Sequence, residues 1–170
     1  MRITGLSAAL VVLTISMLAA SVSASAGDEE CLYDQAQQRH EYQGLEARYP
    51  GGRFVEAEQM LVIPTADGEV HLRIGGCVHY GVMIERWRST PTKAESREAL
   101  FKTIVGLVRT YGQGMADAER LGKLLAAGRF TDLSDRNGPY YMVRYPDFAA
   151  FEIYRRSEQE RSIVGVSFYN

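Results

Sequence analysis

VHLRIGGCVHYGVMIERW, residues 70–87, is the stretch that decides how this chain is built. Val70, Leu72, Ile74, Val78, Tyr80, Val82 and Ile84 share one parity, while His71, Arg73, Cys77, His79, Met83, Glu85 and Trp87 share the other. A period of two is that of a strand with one buried face. Gly75-Gly76 interrupts it at the middle, where glycine permits a bulge, a sharp bend or a tight turn. Immediately upstream, MLVIP at 60–64 and the turn around Asp67-Gly68 complete a β-hairpin with the start of this run.

Downstream the period changes. Thr92, with Glu95 three residues later, has the spacing of a capping box. Leu100, Phe101, Ile104, Leu107, Val108 and Tyr111 follow at helical spacing. Gly112-Gln113-Gly114 breaks the stripe before Met115, Ala118, Leu121 and Leu125 resume it, so two helices are expected. The tail returns to strands at 140–145, 149–156 and 162–169, the last two separated by the charged turn SEQER. At the other end, Asp28 can cap a helix with Glu29 and Glu30 in its first turn, and YPGG at 49–52 stops it. Strands grouped apart from helices point to an α+β fold. The expected architecture is an antiparallel sheet of hairpins, about six strands, with an N-terminal helix and a central helix pair packed on it. The two halves echo each other in layout without a residue-level repeat.

Residues 1–26 have the form of a secretory signal peptide: Arg2, an apolar run from Ala8 to Ala20, and an exit at Ala24-Ser25-Ala26. The run is shorter than the roughly 20 residues a membrane-spanning helix needs. The expectation is therefore a periplasmic or secreted chain, cleaved near Ala26 and left without a membrane anchor, with residues 27–170 as a single domain. Removing Arg2 leaves 18 cations against 21 anions, a net charge of −3. That balance argues against nucleic acid as a partner, which would select a basic surface. Cys31 and Cys77 are the two cysteines, and in an oxidising compartment they are expected to form one structural disulfide. It would close a loop of 46 residues, for which chain entropy suggests about 4 kcal/mol.

Catalytic templates are scarce. His40, His71 and His79 are the three histidines. His71 and His79 would stand about 26 Å apart on a straight strand and meet only if the chain folds back at Gly75-Gly76. No metal-binding spacing links them, so neither metal nor cofactor is expected. His79 with Glu85 is the one general-base pairing worth naming, for a small envelope hydrolase. DLSDRNG at 132–138 has the look of a calcium loop, but Leu133 and Arg144 occupy the positions of the key ligands.

What the sequence does carry is composition suited to contact. All ten tyrosines lie beyond residue 26, where arginine outnumbers lysine fifteen to three. Tyr, Arg and Trp dominate interface hot spots. Tyr140, Tyr141, Arg144, Tyr145 and Arg155 concentrate near the C-terminus and form the expected binding residues, with alternation dividing Tyr140 and Arg144 from Tyr141 and Tyr145. A small exported protein with one disulfide and no evident catalytic apparatus shares its layout with many bacterial envelope inhibitors and immunity proteins. The functional expectation is thus a protein-binding module that blocks a toxin or cell-wall hydrolase. The alternatives are the small hydrolase and a small-ligand carrier.

Overall fold

The computed structural model describes residues 35–75, 81–89, 95–112, 114, 116–145 and 150–169. Its strands form one antiparallel sheet in the order β1-β2-β3-β4-β8-β7-β6-β5. Helix α1 (Gln35–Arg48) precedes a meander of β1 (Arg53–Val55), β2 (Met60–Thr65), β3 (Gly68–Gly75) and β4 (Gly81–Arg88). Helices α2 (Arg97–Tyr111) and α3 (Ala118–Ala126) then lead into a second meander of β5 (Thr131–Asp132), β6 (Tyr140–Arg144), β7 (Ala150–Glu158) and β8 (Arg161–Tyr169). Each meander ends at the centre of the sheet, where β4 and β8 pair antiparallel from Gly81↔Tyr169 to Arg88↔Ser162. The two halves are therefore related by an approximate two-fold axis through that central pair.

Mixed helix and strand with an antiparallel sheet is the expected class, but the sheet has eight strands and not six. The two additions, β1 and β5, are three and two residues long and form the edges. Strands that short show no alternation, and edge strands are commonly kept short because unpaired edges invite association.

The run at 70–87 is a hairpin. Gly75 pairs with Gly81 and Gly68 with Arg88, so the chain does fold back beyond Gly75. Alternation persists across the turn: Val70, Leu72, Ile74, Val82 and Ile84 are all buried in the main core. The preceding turn is shifted by one residue from expectation. Ala66 and Asp67 form the loop, and Gly68 opens β3 with φ +150°. A side chain on Gly68 would collide with the Trp87 carbonyl, which is what restricts this position to glycine.

Helices cover one face of the sheet. Leu100, Ile104, Leu107 and Val108 of α2 and Leu121 and Leu125 of α3 are buried with Leu72, Ile84, Val143, Ile153 and Val166. Fully burying a side chain of this size contributes about 1.5–3 kcal/mol. The cap of α2 is Ser96, whose Oγ accepts from the Ala99 amide at 3.2 Å. Thr92 lies outside the described residues, and Glu95 instead pairs with Arg88 at 3.2 Å. Asp117 caps α3, accepting from the Glu119 and Arg120 amides at 2.9 Å. Helix α1 is held more sparsely, mainly through Tyr42 and Leu45. The Tyr42 hydroxyl accepts from the Ile74 amide and donates to the Gln59 carbonyl, each at 2.8 Å. One phenol thus ties the helix to β3 and to the start of β2. Among the described residues no helix is long and apolar enough to cross a membrane.

Candidate functional site: the second face of the sheet

Strand alternation sends Met60, Val62, Glu69, His71, Arg73, Met83, Glu85 and Trp87 of the first meander to the face opposite the helices. From the second meander come Tyr140, Met142, Arg144, Glu152, Tyr154, Arg156, Ile163, Gly165 and Ser167. Register places one row straight across the middle: Val62, His71, Glu85, Gly165, Tyr154 and Tyr140.

Glu85 is the organising residue of that row. It is only 3 % exposed, and a buried carboxylate needs partners to offset lost hydration. Three donors supply them. The Tyr154 hydroxyl donates to Oε1 at 2.7 Å and Arg156 Nη2 donates to the same oxygen at 3.0 Å. Trp87 Nε1 donates to Oε2 at 2.9 Å. Tyr154 reaches Glu85 from two strands away because Gly165 stands between them. A Cβ on Gly165 would collide with the phenol ring, so the ring lies directly over the glycine backbone. Burial, reinforced by the hydrogen bond to the Glu85 carboxylate, pushes the Tyr154 phenol well above its ordinary pKa. Tyr154 therefore remains a donor throughout the neutral range.

A second layer surrounds this centre. His71 stacks on Trp87 with ring centroids 4.7 Å apart, and its Nε2 lies 3.2 Å from Glu69 Oε2. The Arg161 guanidinium sits over the Trp87 ring, 5.8 Å from its centroid. Ile163 is fully buried between Trp87 and Arg156, its register partners. Ser167 donates to Glu152 at 3.2 Å. The rings of His71, Trp87 and Tyr154 and the guanidinium of Arg156 are thus held by neighbours before anything binds.

The residues anticipated for binding separate by face. Tyr140 and Arg144 lie on this second face, half-buried and exposed respectively. Tyr141 and Tyr145 turn inward beneath the helices, which removes them from any contact surface. Tyr141 packs edge-on against Phe101 and Phe130, at 5.0 and 5.5 Å, and Arg120 of α3 lies 4.6 Å from the Tyr145 ring centroid. Arg155 is also on the helix side, donating to the Glu95 carbonyl at 3.2 Å. Glu85 proves to be a hydrogen-bonded anchor whose two oxygens are occupied. His79, its suggested partner, and both cysteines, Cys31 and Cys77, lie outside the described residues. In the loop at 132–138 the Asp135 carboxylate accepts from the Asn137 amide and side chain, each at 2.8 Å, which is turn chemistry. Among the described residues no group of three or more His, Cys, Asp or Glu is placed to hold a metal ion.

Trp87, Tyr154, Arg156 and Gly165 were not anticipated as one site. Their parity was readable, since Glu85/Trp87 and Tyr154/Arg156 are each two residues apart on a strand. The pairing of β4 with β8, which joins them, left no mark in either segment. Comparison with models of known protein families, with curated proteins and with solved structures finds no match for this chain.

Proposed function

We propose that this is an exported protein-binding module that blocks a bacterial toxin or cell-wall hydrolase, and that the second face of the sheet is its contact surface. The observation that carries the reading is the pre-organisation of Trp87, Tyr154 and Arg156 around the buried Glu85 carboxylate. Side chains immobilised in advance lose little entropy on association, and Trp, Tyr and Arg are the residue types that dominate hot spots. Tyr140 and Arg144 extend the same face toward β6. Export rests on the N-terminal segment 1–26, and the absence of a basic bias keeps nucleic acid out of the reading.

The hydrolase alternative needs Glu85 to orient His79, whereas among the described residues that carboxylate accepts from Tyr154, Arg156 and Trp87, an arrangement that suits an anchor. The deciding experiment is affinity capture from envelope extracts with tagged residues 27–170, followed by titration of the recovered partner. Arg144→Ala and Tyr140→Ala should each leave the thermal midpoint in place, and at least one should weaken binding about tenfold or more. Capture of no partner, or unchanged affinity in both variants, would sink the reading.

A further inference from the structure

The helical layer carries a second feature, independent of the sheet face. Helices α2 and α3 enclose between them a groove of about 680 Å³, within the range of small-molecule sites. Its floor is apolar: Phe101 and Leu125 are buried at its base, with Val105 and Phe130 beside them. Its rim is cationic, with Arg97, Lys102 and Arg109 facing a single acid, Glu98. Arg97 is already engaged, 3.7 Å from Glu98 and 5.4 Å from the Phe130 ring centroid. Lys102 and Arg109 have no ion-pair partner among the described residues. They stand seven residues, or about 10 Å, apart along one side of α2, and Gly106 lies between them.

Gly106 and Gly122 both occupy helix interiors, where glycine is the least favourable residue short of proline. Neither is there to relieve a clash. A Cβ on Gly106 would meet nothing within 4 Å, and one on Gly122 would only touch the Val105 methyls at 3.7 Å. Alanine at either position would favour its helix by about 0.8–1.0 kcal/mol, and a long side chain there would project into the groove that both glycines line. Their smallness keeps the groove open.

We propose that this groove binds a single-chain amphiphile with an anionic head, of the long-chain carboxylate class. The head lies over Gly106 between Lys102 and Arg109, and the tail runs along Val105, Leu125 and Phe130. A free chain fits where a bilayer does not, because Phe101 and Leu125 lie below the rim and a flat surface cannot reach them. The charges of Lys102 and Arg109 select a carboxylate over a neutral or cationic head, since charge-assisted hydrogen bonds are roughly twice as strong as neutral ones.

Calorimetric titration of residues 27–170 with dodecanoate, held below its micellar concentration, tests this. One saturable site per chain is expected, with dodecanol bound more weakly and dodecyltrimethylammonium not competing. The double variant Lys102→Ala/Arg109→Ala, which alters only exposed side chains, should weaken dodecanoate about tenfold. Gly106→Leu should abolish binding while leaving the circular dichroism spectrum intact. Absence of a saturable site, equal affinity for the cationic surfactant, or unchanged binding in the double variant would overturn the proposal. If Gly106→Leu does not fold, the double variant alone decides.

Discussion

The two meanders place equivalent backbone positions on either side of the β4–β8 seam and give them opposite tasks. Counting outward from the seam, Glu85 corresponds to Gly165, His71 to Tyr154 and Val62 to Tyr140. The first half supplies a buried charge where the second supplies empty space. Tyr154 crosses that space to Glu85, whereas His71 stays in its own half, stacked on Trp87 and beside Glu69. A symmetric network would bring two carboxylates together at the axis, and like charges at that distance in a buried site cannot both stay ionised. The asymmetry lets one carboxylate be satisfied by donors drawn from both halves, and it locks the halves to each other through side chains as well as through the sheet.

The helical cover differs too. Helix α1 holds the first half with Tyr42 and Leu45, while α2 spans the seam against β4 and β8 and α3 covers β6. The second half has the longest strands, β7 and β8, nine residues each.

Filling the space at the axis should have the largest effect. Gly165→Val forces the Tyr154 ring away and strips Glu85 of a donor. Overpacking and loss of a hydrogen bond to a charge together predict a loss of about 3 kcal/mol or more in urea denaturation. A loss under about 1 kcal/mol would mean that the ring has another place to go and that the halves are not coupled through it.

Tyr154→Phe keeps the ring and removes the reach. The expected cost is about 1.5–3 kcal/mol at neutral pH, the range for hydrogen bonds to charged groups. It carries a pH signature. The folded phenol has its pKa raised by burial and by Glu85, so the stabilisation is fully present below the unfolded value near 10 and declines as pH rises above it. Wild type should therefore lose stability above pH ~10 more steeply than Tyr154→Phe. Tyr42 and Tyr145, whose burial also raises their pKa, will leave a residual slope in the variant. Identical alkaline slopes in the two proteins would remove Tyr154 from the network.

The hairpins that close each half offer a stabilising test. The β7–β8 turn places Gln159 and Glu160 at φ +47° and +66°, left-handed values that favour Asn-Gly. Gln159→Asn with Glu160→Gly should raise stability by about 1 kcal/mol or somewhat more, measured by the denaturation midpoint. No gain would indicate that the turn is held by contacts other than its own backbone preference.

The smallest effect is expected at the symmetry mate of Tyr154. His71 is 7 % exposed, but its polar partner Glu69 is partly solvated. His71→Phe retains the stack on Trp87 and forfeits one weakly shielded contact, so it should cost less than about 1 kcal/mol. A cost equal to that of Tyr154→Phe would show the two halves to be functionally symmetric after all.

Alternation and turn chemistry made most of the strands readable. The six longer strands, the break between α2 and α3, and the side of the sheet taken by His71, Arg73, Met83, Glu85 and Trp87 all follow from residue spacing, because side-chain direction in a strand is a local property of the backbone. The division of Tyr140 and Arg144 from Tyr141 and Tyr145 was equally local. Which set meets the helices was not, since aromatic residues suit either face of a strand. The site itself depends on which strands become neighbours. Glu85, Gly165 and Tyr154 span 81 positions of sequence, and nothing near any of them specifies the other two. In isolation Glu85 is an ordinary polar strand residue and Gly165 a weak point in an apolar run. Only when β4 and β8 pair does the glycine become the opening through which a phenol satisfies a buried carboxylate. Pairing of distant strands is set by the global fit of the core, and that information is spread over the whole chain and absent from any single segment.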